Sequence, residues 1–79
     1  MIHARPDYNR IQDPTNHIPL NEPVFLLRGQ DPLAPELLLL WAAKLRLAGG
    51  EPAMATMVEN HAQRMIDWQA RNITKIPDL

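Results

Sequence analysis

The sequence predicts a mainly α-helical protein with one short β-strand. We expect the strand to be followed by an antiparallel helical hairpin, and the molecule to assemble as a homo-oligomer. Three observations carry this prediction: a single strand-like run at residues 24–27, two helix-period segments separated by Gly49-Gly50, and a cysteine-free chain of 79 residues. The predicted divisions are an extended N-terminal arm at 1–21, the strand and hairpin at 22–72, and a short tail at 73–79.

The N-terminal arm is polar and lacks periodicity. It contains Pro6, Pro14 and Pro19, and Asp13 to Asn16 reads as a turn. Such a segment either stays extended or drapes over a neighbouring surface, because it has too few apolar side chains for a core of its own.

The strand prediction rests on the run Val24-Phe25-Leu26-Leu27 after Pro23. A run without polar alternation is typical of a strand that is buried on both faces. The backbone groups of this strand need partners. Both the same strand of another subunit and the folded-back arm can supply them.

The first helix is predicted over about residues 35–48. Asp31 can cap it with Pro32 in the first turn, or Pro35 can begin it with Ala34 as the boundary residue. Leucines and Trp41 cover most of its circumference, which indicates that it is covered on more than one side. Gly49-Gly50 then supplies a left-handed C-terminal cap.

The second helix is predicted from Glu51-Pro52 to about Ala70 or Arg71. Its apolar side chains follow helical spacing and predict one buried stripe. The stripe contains Met54, Met57, Val58, His61, Met65 and Trp68. We therefore expect both tryptophans, Trp41 and Trp68, to lie in the core.

Composition limits the function classes. A chain of 79 residues buries too little surface to be very stable alone, and without cysteines it has no disulfides, so we expect oligomerisation. The net charge of −1 gives no field that would attract nucleic acid or an anionic membrane. The apolar runs are shorter than the ~20 residues that span a bilayer, and the N-terminus has no signal-peptide pattern. We expect a cytoplasmic protein.

The candidate ligand-binding residues directly after the strand are Arg28 and Gln30. Polar groups at the end of a buried strand often line a binding site, and an arginine suits phosphate or carboxylate. A structural salt bridge is the alternative for Arg28. For Asp31, in the same turn, helix capping is the simpler role.

Further candidates are Tyr8 and Arg10 in the arm and His61 on the second helix. Tyr8 lies between Arg5 and Arg10, and an aromatic ring flanked by arginines can stack on a base and hold phosphates. A solvated flexible arm is the alternative. His61 is expected either to contact a ligand or act as an acid or base, or else to be a partly buried histidine bonded to a backbone carbonyl. We expect no metal and no cofactor, because the three histidines lie far apart and no phosphate loop is present. No nucleophile with a partner stands out, so we expect no enzyme.

Residues 18–31 read IPLNEPVFLLRGQD, followed by Ala34-Pro35, Trp41-Ala42 and the segment HAQRM from His61. Along residues 18–70 this pattern resembles a family of small proteins encoded by tailed phages and prophages. The resemblance implies a phage origin and a location in the bacterial host, without implying a mechanism. Small oligomeric phage proteins include anti-defence sponges, which bind nucleotide-derived immune signals without cleaving them; the link to them is an analogy of class.

Together these observations predict a non-enzymatic phage protein that sequesters a small anionic, nucleotide-like ligand at pockets of a homo-oligomer and so counteracts host defence. Arg28, Gln30, Tyr8, Arg10 and His61 are the expected contacts. The alternative is a protein-interaction module that inhibits a host protein or assists phage assembly. In that case the apolar first helix would be the partner surface.

Overall fold

The computed structural model describes residues 1–79. It contains strands β1 (Ile2–His3) and β2 (Pro23–Val24) and helices α1 (Ala34–Leu47) and α2 (Pro52–Gln69). One turn of 3₁₀ helix, Pro6–Tyr8, follows β1. The mainly helical character predicted from the sequence is confirmed, and the two helices form a hairpin-like pair. Neither helix is long and apolar enough to cross a bilayer.

The β-structure differs from the single predicted strand. β1 and β2 form a two-stranded parallel sheet in which Ile2 pairs with Pro23 and His3 with Val24. The amide of Ile2 donates a hydrogen bond of 2.8 Å to the carbonyl of Glu22. The partner strand is therefore the folded-back arm, and it is too short to show any periodicity in the sequence. β2 also ends at Val24 instead of Leu27, and Phe25 is 68% exposed, so the expected burial on both faces is wrong.

Helix α1 begins at Ala34, with Pro35 in its first turn. Of the two predicted starts, the later one is correct. Asp31 does not cap the helix itself: its Oδ1 accepts a hydrogen bond from the amide of Leu33 at 2.8 Å, and its carbonyl accepts one from Ala34 at 3.1 Å. Asp31 is buried and closes the turn that leads into the helix.

The connection between the helices confirms the predicted left-handed cap. Gly49 has φ of +76°. Its amide bonds to the carbonyl of Arg46 at 3.1 Å, and the amide of Gly50 bonds to that of Leu45 at 2.9 Å, which is the Schellman pattern. A Cβ on Gly50 would overlap the side chain of Leu45, which would have to move to make room for it.

Small side chains form the contact between α1 and α2. Ala42, Ala55 and Ala62 are fully buried, and Met65 is nearly so. Alanines let the two backbones approach closely. At the connected end, Arg46 donates to Oγ1 of Thr56 at 3.3 Å and forms an ion pair with Glu59.

The predicted buried stripe of α2 is wrong except at Met65. Met57 is 62% exposed, and Trp41 and Trp68, which were expected in the core, are 46% and 42% exposed. No large side chain of the chain is fully buried. Two helices can shield only one narrow face from water, and that face is occupied by alanines rather than by the larger side chains.

The last residue of α2, Gln69, is hydrogen-bonded to the turn that precedes α1. Nε2 of Gln69 donates to the carbonyls of Gly29 and Asp31 at 2.9 and 3.0 Å. The tail returns to the same turn, where the amide of Lys75 donates to the carbonyl of Gln30 at 2.9 Å. In the arm, the predicted turn is confirmed: Asp13 accepts hydrogen bonds from the amides of His17 and Ile18, both at 2.9 Å.

Candidate functional site

The folded-back arm brings arginine and tyrosine side chains together next to the β2–α1 loop. The guanidinium of Arg5 lies 4.6 Å from the ring centroid of Tyr8, and that of Arg28 lies 6.0 Å from it. Both distances are within the range of a cation–π contact. The 3₁₀ turn at Pro6–Tyr8 sets this geometry because it carries the tyrosine back toward Arg5.

Arg5 is fixed by a bidentate pair with Asp7. Its Nε donates to Oδ1 at 3.0 Å and its Nη2 donates to Oδ2 at 2.8 Å, while Nη1 donates to the carbonyl of Asp78 in the tail. The hydrogen bond with Asp7 raises the pKa of Arg5, and the same bond lowers the pKa of Asp7. Arg28 lowers the pKa of Asp7 further through its charge. Asp7 is therefore ionised and its charge is already compensated by Arg5.

These residues line two adjoining cavities, which we call the arginine cleft. The smaller, of about 60 Å³, includes Arg5, Tyr8, Arg28 and Gln30 in its lining, with Pro77 of the tail at its wall. The larger, of about 340 Å³, is lined by Asp7, Tyr8, Arg10, Leu26 and Arg28. Tyr8, Leu26 and Arg28 belong to both linings, so the two cavities meet along these side chains.

Two of the cations in the arginine cleft have no hydrogen-bond or ion-pair partner in the chain. The side chains of Arg10 and Arg28 are exposed, and neither makes a hydrogen bond nor an ion pair within the chain. The structural salt bridge considered for Arg28 is therefore absent. With Asp7 paired to Arg5, two guanidinium groups remain free to bind an anion, which is chemistry that planar, five-donor groups perform well.

Four of the five predicted site residues, Arg28, Gln30, Tyr8 and Arg10, thus line the arginine cleft. The fifth, His61, lies elsewhere. It is exposed and makes no hydrogen bond, so the alternative of a partly buried histidine bonded to a carbonyl is wrong. His61 borders an open cavity of about 640 Å³ between the helices.

We call this second cavity the apolar groove. Its lining consists of six apolar side chains and one histidine, namely Leu27, Leu37, Leu38, Trp41, Met57, Val58 and His61. Leu27 also lines the smaller cavity of the arginine cleft, so the two surfaces adjoin along this residue. The groove offers shape and apolar area but almost no polar groups for orienting a small ligand.

Arg5 is the site residue that sequence reasoning did not select. The spacing Arg5-Pro6-Asp7-Tyr8 contains the signal, since a turn at Pro6 brings an arginine back onto an aromatic ring and a carboxylate. No group of three or more His, Asp or Glu side chains lies close enough together to hold a metal ion.

Comparisons of the chain with protein-family models, with curated proteins and with solved structures gave no match. The interpretation of the arginine cleft therefore depends on the chemistry of its own residues. That chemistry is cationic and aromatic.

Proposed function

We propose that this chain is a non-enzymatic binding protein that sequesters a small anionic, nucleotide-like ligand in the arginine cleft. In the proposed assembly the helices form antiparallel hairpins that associate as a homo-oligomer. The observation that carries the proposal is that two guanidinium groups without an ion-pair partner, those of Arg10 and Arg28, line one cavity together with Tyr8.

The residues divide the work of recognition by their chemistry. Arg28 and Arg10 would bind phosphate oxygens, because a guanidinium donates two parallel hydrogen bonds to such a group. Tyr8 would contact a base or sugar through its ring, as aromatic side chains do in nucleotide sites. Gln30 has both a donor and an acceptor for the polar edge of a base or a ribose hydroxyl.

The size and charge of the cleft fit a ligand of this class. Small-molecule sites range from about 300 to 1,000 Å³. The larger cavity, at about 340 Å³, is near the lower limit and suits a compact ligand such as a mononucleotide. The cleft is locally cationic although the whole chain has a net charge of −1, so it would attract a small anion without binding long nucleic acid.

The biological setting that we propose follows the sequence resemblance at residues 18–70 to small proteins of tailed phages. A phage protein that sequesters a nucleotide signal in the cytoplasm of its bacterial host would counteract immunity that depends on that signal. In this setting, a site that binds the nucleotide without cleaving it would be enough to lower the concentration of the free signal.

Isothermal titration calorimetry with adenosine 5′-monophosphate, inorganic phosphate and uncharged adenosine tests the proposal. We expect binding of the two anions and weaker or no binding of adenosine. Arg28→Ala should weaken binding about 10- to 100-fold, because a hydrogen bond to a charged group contributes roughly 1.5–3 kcal/mol. Arg71→Ala removes the same charge from an exposed position outside the cleft and should change little.

Two results would overturn this proposal. One is equal affinity for adenosine and its monophosphate, which would remove the role of the anion. The other is unchanged binding in Arg28→Ala while the native mass of the protein stays as in the wild type.

A protein-interaction module is the second candidate function. It is favoured by the exposed leucines and Trp41 on α1, since soluble monomers rarely expose large contiguous apolar patches. A stable monomer that keeps the apolar groove open would support this candidate. A closed oligomer that buries the groove would count against it.

A further inference from the structure

The solvent-accessible surface area of the chain is larger than that expected for a folded monomer of its mass. It amounts to 6346 Å². A folded monomer of 9.0 kDa exposes about 4,850 Å² by the mass scaling of monomeric proteins, so the excess is about 1,500 Å². Part of the excess belongs to the arm and tail, where Leu20 and Ile73 are almost fully exposed. The helices also expose large apolar side chains, among them Leu40 and Leu47.

The exposed apolar area of the helices includes one concave region, the apolar groove. Leu37 and Trp41 form one wall on α1, and Met57 forms part of the other on α2. These three side chains are all at least 46% exposed. Their positions on both helices mean that the groove follows the hairpin-like pair and that its walls are preformed.

We propose that a second copy of this chain occupies the apolar groove. The inference specifies the interface of the homo-oligomer named in the proposed function, and it rests on that part of the proposal but not on the ligand. It uses Leu37, Trp41 and Met57, none of which lines the arginine cleft. The proposed interface and the proposed ligand binding can therefore be disproved independently of each other.

The area available matches what a stable dimer needs. Burial of about half of the surface excess would remove about 750 Å² from each copy, which is close to the roughly 800 Å² that each partner buries in a standard protein–protein interface. A small apolar ligand in the groove would cover much less area and would leave the outer leucines of α1 in water.

The charge pattern also suits a contact between identical surfaces. A two-fold interface places each residue near its own counterpart, so any lysine, arginine or carboxylate near the axis meets a like charge. The lining of the groove contains none of these residues, and His61 is its only ionisable side chain. A partner with a charged surface would find no complementary group in the groove, whereas a second apolar groove meets no repulsion.

The test is the native mass of the protein across a dilution series, measured by light scattering and analytical ultracentrifugation. We expect the wild type to form a dimer or higher multiple of the 9.0 kDa chain. Met57→Glu should raise the dissociation constant at least about thirtyfold, because it places a carboxylate in a desolvated contact. Ile66→Glu is the matched control: Ile66 is a partly exposed apolar residue of the same helix outside the groove lining, and the oligomer should persist.

Tryptophan fluorescence gives a readout that does not depend on the folding of Met57→Glu. In a Trp68→Phe background, Trp41 is the only tryptophan, and its emission should shift to the red when dilution dissociates the oligomer. A monomer of 9.0 kDa at every concentration would overturn the inference, as would a Met57→Glu protein that keeps the wild-type mass. A dissociation that leaves Trp41 emission unchanged, or a monomer carrying a bound small molecule in native mass spectra, would also overturn it.

Discussion

The helical side and the arm side of this molecule are held together by different interactions. On the helical side, alanines make the contact between α1 and α2, and the large apolar side chains are left in water. On the arm side, hydrogen bonds, an ion pair and a cation–π contact connect the arm, the loop and the tail. The difference indicates that packing leaves the large side chains of the helical side uncovered, whereas polar contacts hold the arm side and leave Arg10 and Arg28 without a hydrogen bond or ion pair.

The two sides meet at the turn formed by residues 29–31. Gln69 from the end of α2 and Lys75 from the tail both donate to carbonyls of this turn. The neighbouring Arg28 faces the cleft, and Leu27 lines both the cleft and the groove. Variants on each side and at this junction can therefore show whether the two sides are stabilised independently.

The largest effect is expected at the alanine contact. Ala42→Leu inserts three carbons where α1 and α2 touch and should lower the free energy of unfolding by about 1–3 kcal/mol, since overpacking forces the helices apart. Urea denaturation at a fixed protein concentration measures the change. Ala43→Leu, at the exposed neighbouring position, should stay within about 0.5 kcal/mol of the wild type. Equal effects of the two substitutions would contradict the observed contact.

A smaller effect is expected at the junction. Gln69→Ala removes two hydrogen bonds to partly buried carbonyls and should cost about 1–2 kcal/mol of unfolding free energy. Hydrogen exchange should show faster exchange of the Asp31 amide, because the turn is no longer held by α2. Gln63→Ala removes only an exposed bond to Asp67 and should cost less than about 0.5 kcal/mol. Unchanged exchange in Gln69→Ala would show that the two sides are not coupled through this side chain.

The smallest effect is expected from the Arg5–Asp7 pair, which is exposed and screened by solvent. Because the pKa of Asp7 is lowered in the folded state, its contribution to stability is present above the ordinary carboxyl pKa of 3.8 and is lost as pH falls through the lower folded value. Carboxyl NMR titration should show the pKa of Asp7 returning toward 3.8 in Arg5→Ala. Arg10→Ala removes an arginine that forms no ion pair with Asp7 and should leave the titration unchanged. A normal wild-type titration would show that the pair does not form in solution.

The helices could be predicted from the sequence because their signals are local. Proline in the first turn predicted the start of each helix, and the Gly49-Gly50 cap predicted the end of α1, all to within one residue. The buried face of α2 could not be predicted by the same means. Periodicity identified the side with large side chains, but the close approach of two backbones favours the side with Ala55 and Ala62. The larger side chains would be buried only by a further layer that a single chain does not provide.

The candidate site could be predicted in its residue types but not in its arrangement. Arg28, Gln30, Tyr8 and Arg10 were chosen for their chemistry, and their meeting in one cleft depends on the pairing of β1 with β2. A strand of two residues has no periodicity, so its pairing is decided by contacts between distant parts of the chain. His61 was selected because it lies on the apolar stripe of α2. The fold places it in the lining of the apolar groove and not in the arginine cleft.

The parallel pairing of β1 with β2 also has a consequence for the order of folding. Formation of the helix pair closes only the short loop between α1 and α2. Its contacts join neighbouring segments of the chain, so the pair can form early. The arm must close the long loop of residues 4–22 and is joined by residues 75–78, so loop-closure entropy delays it. The arginine cleft is therefore completed only after residues 75–78 have joined the turn and the arm. A refolding chain would form the helix pair before the arginines of the cleft come together.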